Sequence, residues 1–134
     1  MAFVIDASIV AALAFGEESG RRVASAMGEL ESAAAFAPSI FFFEVRNILV
    51  VNERRGRITW EQSASFLRLL ARLPIRLAPT PENEDVVTLA RARNLTVYDA
   101  AYLELAKREG VPLATLDRDL ERAAIAENVA LLGA

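Results

Sequence analysis

Short apolar runs alternate with segments of helical period along the whole chain. Phe3–Ile5 is the first run and predicts a short buried strand, which passes directly into a helix from about Ser8 to Phe15. Residues 17–20 break the pattern before a second helix over about Arg21–Glu31. Ala35–Ala37 is a weak strand that stops at Pro38, and a long helix follows over about Ser39–Arg55, with Gly56 placed as its left-handed terminator. Thr59-Trp60-Glu61-Gln62 has the spacing of a capping box and opens a helix that ends before Pro74. Ile75–Ala78 predicts another strand. Thr80-Pro81 then supplies an N-cap and a first-turn proline, with Val86, Leu89 and Ala90 on the buried face of the helix that follows. A helix over about Tyr98–Glu109 stops at Gly110, and Leu113–Leu116 is a buried strand. Asp117 starts a short helix, and Val129–Leu132 closes as a last strand. Strands alternating with helices throughout predict an α/β domain with a mainly parallel sheet.

Against this apolar background four carboxylates stand out: Asp6 in F-V-I-D-A-S-I-V, Glu44 in F-F-F-E-V-R-N-I-L-V, Asp99 in V-Y-D-A-A-Y-L and Asp117 in L-A-T-L-D-R-D-L. A charged side chain inside an apolar run needs a reason. Asp6 and Asp117 follow predicted strands, and in open parallel sheets ligands bind beyond the carboxyl ends of the strands. Glu44 shares a helix face with Ile40, Asn47 and Ile48, which turns it inward. Helix capping is the plain alternative for Asp6, Asp99 or Asp117 taken singly. It does not explain Glu44, and it does not compete with metal binding, because a carboxylate has about four acceptor sites.

Composition narrows the chemistry. With 134 residues, 54% hydrophobic and 25% charged, the chain is expected to form one globular domain spanning residues 1–134. It has no Cys, which excludes disulfides, thiolate metal sites and cysteine nucleophiles. It has no His, which excludes histidine acid–base catalysis and the commonest transition-metal ligand. The amino-terminal apolar stretch lacks a basic segment and is interrupted by Asp6, unlike a signal peptide. No run approaches the roughly 18 apolar residues of a membrane span, so a soluble, cytoplasmic protein is expected. Two like charges about 4 Å apart repel by about 4 kcal/mol at an effective dielectric near 20. Converging acids therefore call for a cation, and oxygen-only ligands select Mg²⁺ or Mn²⁺.

The chain resembles a PIN domain of the small VapC-like toxins found in type II toxin–antitoxin pairs. The resemblance is carried in order by Val4-Ile5-Asp6-Ala7-Ser8, Glu44-Val45-Arg46-Asn47, Tyr98-Asp99-Ala100-Ala101-Tyr102-Leu103 and Thr115-Leu116-Asp117-Arg118-Asp119-Leu120. It implies a three-layer α/β/α fold with about four to five strands, and an endoribonuclease that uses Mg²⁺ or Mn²⁺ to leave 5′-phosphate and 3′-hydroxyl ends. On this basis Asp6, Glu44, Asp99 and Asp117 are the expected catalytic and metal-binding residues. Ser8, Asn47, Thr115 and Asp119 are expected to support them. The resemblance also implies a cognate antitoxin and a homodimer. Two other functions are compatible with the acids: a protein-binding module with little activity, or another metal-dependent phosphohydrolase.

The net charge of −3 is unusual for a nucleic-acid enzyme, but two divalent ions would bring it to about +1. Arg46, Arg54, Arg55 and Arg57 are the candidate RNA contacts, with a solvated helix end as the alternative for the last three. Aromatic residues make up only 7%, which argues against extensive base stacking. Phe41, Phe42 and Phe43 span more than one helix face, so they are expected either to be buried on both sides or to leave a docking surface.

Overall fold

The computed structural model describes residues 1–17 and 20–134, so part of the predicted break at 17–20 lies outside the described residues. The elements run β1 (Phe3–Ile5), α1 (Ala7–Ala14), α2 (Arg21–Leu30), β2 (Ala35–Pro38), α3 (Phe41–Arg54), α4 (Trp60–Leu70), β3 (Ile75–Ala78), α5 (Asp85–Arg93), α6 (Val97–Glu109), β4 (Leu113–Ala114) and α7 (Arg118–Ala126). The strands form one sheet in the order β3-β2-β1-β4, and every pairing is parallel. Phe3, Val4 and Ile5 are each at most 1% exposed. Successive strand side chains point to opposite faces, so both faces of β1 are covered. Helix α6 lies against β1, β2 and β4, with α5 and α7 packed on it, while α1 packs with α2 and α3.

This order has a functional consequence. The chain leaves β1 toward β2 and β3, then crosses back to place β4 on the other side of β1. The carboxyl ends of β1 and β4 therefore flank a topological switch point, where the loops part and leave a crevice. Asp6 lies immediately after β1, and Thr115 immediately after β4.

Most helix starts follow from local chemistry. Asp6, Thr96 and Asp117 cap α1, α6 and α7 with their side chains. Thr59 and Gln62 form the reciprocal capping box of α4. Thr59→Ala removes the hydroxyl that accepts from the Gln62 N–H and is expected to cost about 1 kcal/mol, read as a lower urea midpoint with an unchanged slope.

Three expectations are corrected. Helix α5 begins at Asp85, not at Thr80-Pro81. The Asn83 side chain accepts from the Asp85 N–H, while the Thr80 hydroxyl bonds Ser39 instead of capping a helix. The last strand shrinks to a single parallel bridge between Leu113 and Leu131. Helix α3 begins at Phe41, which places Glu44 in its first turn rather than its interior. Of the three phenylalanines, Phe41 is fully buried, Phe42 is half-buried and meets Phe41 edge to face at 5.1 Å, and Phe43 is 72% exposed.

Candidate active site

Asp6 is the best-held of the acids. Its Oδ1 accepts from the Ser8 N–H at 3.0 Å, the Ser8 hydroxyl at 2.5 Å and the Ile9 N–H at 3.3 Å. Its Oδ2 accepts from the Thr115 hydroxyl at 2.5 Å. The two hydroxyls also tie the strand ends together. Ser8 Oγ accepts from the Leu116 N–H at 2.9 Å, and Thr115 Oγ1 from the Asp117 N–H at 3.0 Å. Asp6 is only 5% exposed, and burial pushes its carboxyl up from the ordinary 3.8 to about 6, against the lowering effect of the Ser8 and Thr115 bonds. A capping aspartate at a solvated helix end has no such displacement. Here the cap has been folded into the protein.

Asp117 caps α7 through the Leu120 N–H at 2.9 Å, which occupies Oδ1. Asp99 caps nothing, because Thr96 performs that role and accepts from the Asp99 N–H at 3.1 Å. Burial raises the Asp99 carboxyl first, and repulsion from Asp117 and Glu44 raises it further, with a smaller push from Asp119. Glu44 reaches across from α3 and accepts the Tyr102 hydroxyl of α6 at 2.5 Å. Burial raises the Tyr102 phenol first, then its bond to Glu44, then the charges of Glu44, Asp6 and Asp99. Tyr102 therefore remains a donor at neutral pH and fixes one oxygen of Glu44. The acids are joined through shared neighbours: the Thr115 hydroxyl bonds both Asp6 and the Asp117 N–H, Tyr102 on the helix of Asp99 bonds Glu44, and Asp117 and Glu44 both repel Asp99.

Among the described residues none of the four takes part in an ion pair. Arg22, a cation at the strand ends, donates to the Thr115 carbonyl at 3.3 Å but is engaged by Glu121 through two bonds, so among the described residues the acids at the switch point have no ion-pair partner of their own. Among the described residues no three of the acids stand close enough to hold one ion between them. Mg²⁺ is commonly held by one or two carboxylates while it keeps several waters, and an oxygen-only donor set of this spread fits that habit.

Ser8 and Thr115 touch Asp6 directly, as their positions in the motifs suggested. Of the other two supporting candidates, Asn47 is exposed, and Asp119, whose charge adds to the push on Asp99, is paired with Arg122 at 2.6 Å in solvent. Arg46 folds back on its own helix, donating to the Phe42 carbonyl at 3.1 Å with its guanidinium over the Phe42 ring. Arg54 lies ten residues along α3 from Glu44, about 15 Å along the axis. Arg55 and Arg57 follow that helix end, and Arg57 bonds Asn52.

Tyr102 was the residue that sequence reasoning passed over. Its signal was available: three residues after Asp99 on a helix, it shares that residue's face. Glu104 shows the opposite failure. It too is an acid in an apolar run and is 5% exposed, yet it is held by Arg108 through two bonds of 3.1 Å. An acid in an apolar run marks burial, and only the absence of a cationic partner separates the cluster from a structural ion pair. Tyr102→Phe is expected to cost about 1–2 kcal/mol and to lower the activity of the site by freeing Glu44, measured by thermal unfolding beside turnover.

Comparison with known proteins places the chain in a family. The PIN domain profile matches residues 3–126. The chain is 33% identical to Ribonuclease VapC3 of Pyrobaculum aerophilum over 123 residues, covering 90% of this chain and 92% of that protein. It is 32% identical to Exonuclease VapC9 of the same organism over 78 residues, 58% of either chain. Among solved structures, PAE2754 from Pyrobaculum aerophilum superposes with a TM-score of 0.71 at 28% identity, covering 92% of this chain and 87% of that one. The Mycobacterium tuberculosis toxin VapC20 shares the fold at a TM-score of 0.57 and 14% identity, over 92% of this chain and 95% of that one. With a profile match over nearly its whole length, and a relative one-third identical over nine-tenths of it, the chain belongs to the PIN-domain family.

Proposed function

We propose that this protein is a metal-dependent endoribonuclease and the toxin of a type II toxin–antitoxin pair, acting in the cytoplasm as a homodimer and restrained by a cognate antitoxin. The observation that carries the proposal is the group of acids at the switch point that, among the described residues, has no ion-pair partner. The similarity to Ribonuclease VapC3 supports RNA as the substrate. Asp6, Asp99 and Asp117 would hold Mg²⁺ or Mn²⁺, directly or through water, and such an ion supplies charge neutralisation of the phosphate and a bound water of lowered pKa. Ser8 and Thr115 set the angle of the Asp6 carboxylate. Glu44, with one oxygen fixed by Tyr102, keeps the other for the attacking water and orients it in line with the scissile bond. No histidine is needed at any of these positions.

Because VapC9 carries the name exonuclease, the mode of cleavage needs its own test. A covalently closed circular RNA is expected to be linearised with Mg²⁺ or Mn²⁺ and to stay intact with EDTA. A circle that survives while linear RNA of the same sequence is degraded would assign exonuclease action instead.

A further inference from the structure

Beside the acid cluster, on the same edge of the sheet, lies a groove of about 290 Å³ between the ends of β2 and β3 and the starts of α5 and α6. Pro38, Pro79 and Pro81 give it flat apolar walls. Tyr98 stands at its margin, 58% exposed, as the immediate neighbour of Asp99 on α6. Because Tyr98 and Asp99 are consecutive on α6, an occupant of the groove that meets the Tyr98 ring lies close to the acids. The lining also includes the Glu104–Arg108 pair. Arg108 uses Nε and Nη2 on Glu104, and Nη2 also approaches the Pro79 carbonyl at 3.5 Å. Among the described residues its Nη1 has no bond, and each Glu104 oxygen retains acceptor capacity. An apolar peptide side chain would leave that donor and acceptor unused.

We propose that this groove is a nucleobase subsite. One unpaired base of a single-stranded RNA segment, adjacent to the scissile phosphate, stacks on Tyr98 and turns its polar edge toward Glu104 and Arg108. Unpaired bases are the part of RNA that proteins read by stacking, and a base carries both the flat apolar face and the mixed donor–acceptor edge that this groove complements. The proposal rests on the ribonuclease reading, and it deepens it by assigning the base beside the cut to this groove.

The test uses the full chain and a single-stranded oligoribonucleotide containing a mapped cut site, with an abasic residue moved one position at a time across it. With the wild-type protein, one abasic position next to the cut is expected to raise KM roughly ten- to a hundredfold. Tyr98→Ala is expected to raise KM for the intact oligonucleotide by the same factor, with kcat near wild type, and to become indifferent to that abasic position. Tyr98→Phe keeps the ring and should behave as wild type. The inference is overturned if Tyr98→Ala leaves KM unchanged. It is equally overturned if the lesion and the substitution multiply, since two groups in contact must share one effect. Both failures occur with a wild-type enzyme that still cuts RNA. A wild-type protein that cuts no RNA removes the ribonuclease reading itself, and this proposal falls with it.

Discussion

Asp6→Asn is expected to abolish RNA cleavage and, in metal-free buffer at pH 7, to raise the melting temperature rather than lower it. The reason is the sign of the Asp6 displacement. Its carboxyl binds a proton more tightly in the folded protein, at about 6, than its ordinary 3.8. Its contribution to stability is therefore fully present below about 3.8, and is lost as pH rises through about 6. Above that window the ionised group is held at a cost of up to about 3 kcal/mol. Asparagine removes the charge and keeps the Oδ1 bonds from Ser8 and Ile9. It turns an amide N–H₂ toward the Thr115 hydroxyl, which must find another acceptor, so about 1–2 kcal/mol of the cost is recovered, or a few degrees of melting temperature. Mg²⁺ is expected to stabilise the wild type and to have little effect on the variant. A melting curve for Asp6→Asn lower than wild type in EDTA would show that the carboxylate is an ordinary cap.

Thr115→Val is the second large effect and has the opposite sign. Its hydroxyl donates to Asp6 Oδ2 and accepts from the Asp117 N–H, so the change strips a buried carboxylate of one donor and an amide of its acceptor. A cost of about 2–4 kcal/mol is expected, seen as a melting temperature lower by on the order of 10 °C. Because the lost bond is one of those that lower the Asp6 pKa, the carboxyl should rise further above 6, and the acid limb of the pH–rate profile should move to higher pH. Thr115→Ser keeps the hydroxyl and should restore most of both. An unmoved acid limb in Thr115→Val would separate the hydroxyl from Asp6.

The alternation of short, mainly apolar runs with helical segments made the fold legible, and it was sharpest where a turn residue closes the run, as Asp6 does after β1 and Pro79 after β3; β4 stops at Ala114, short of the expected Leu116. The failures occurred where a side chain had two competing partners. Thr80 is a good cap by type, but Ser39 from the neighbouring strand end claims its hydroxyl. Asp99 sits where a cap belongs, but Thr96 takes the position and leaves the acid free for the cluster. Convergence of Asp6 and Asp117 was readable because parallel strands put their carboxyl ends on one edge. The Tyr102–Glu44 contact was not, since it joins residues 58 apart across two helices and has no local signature. Asn47 shows a simpler effect: residues three apart on a helix differ by about 60° around the axis, so Asn47 is exposed where Glu44 is half-buried, although the two share a broad face.

If the four acids act through a bound divalent ion to hydrolyse RNA, the purified protein should cut total cellular RNA with Mg²⁺ or Mn²⁺ and not with EDTA, and the cut ends can be mapped. Cleavage only with metal, leaving 5′-phosphate and 3′-hydroxyl ends, and lost in Asp6→Asn, is the predicted result. Cleavage that persists in EDTA, or that leaves 2′,3′-cyclic phosphate ends, would contradict it.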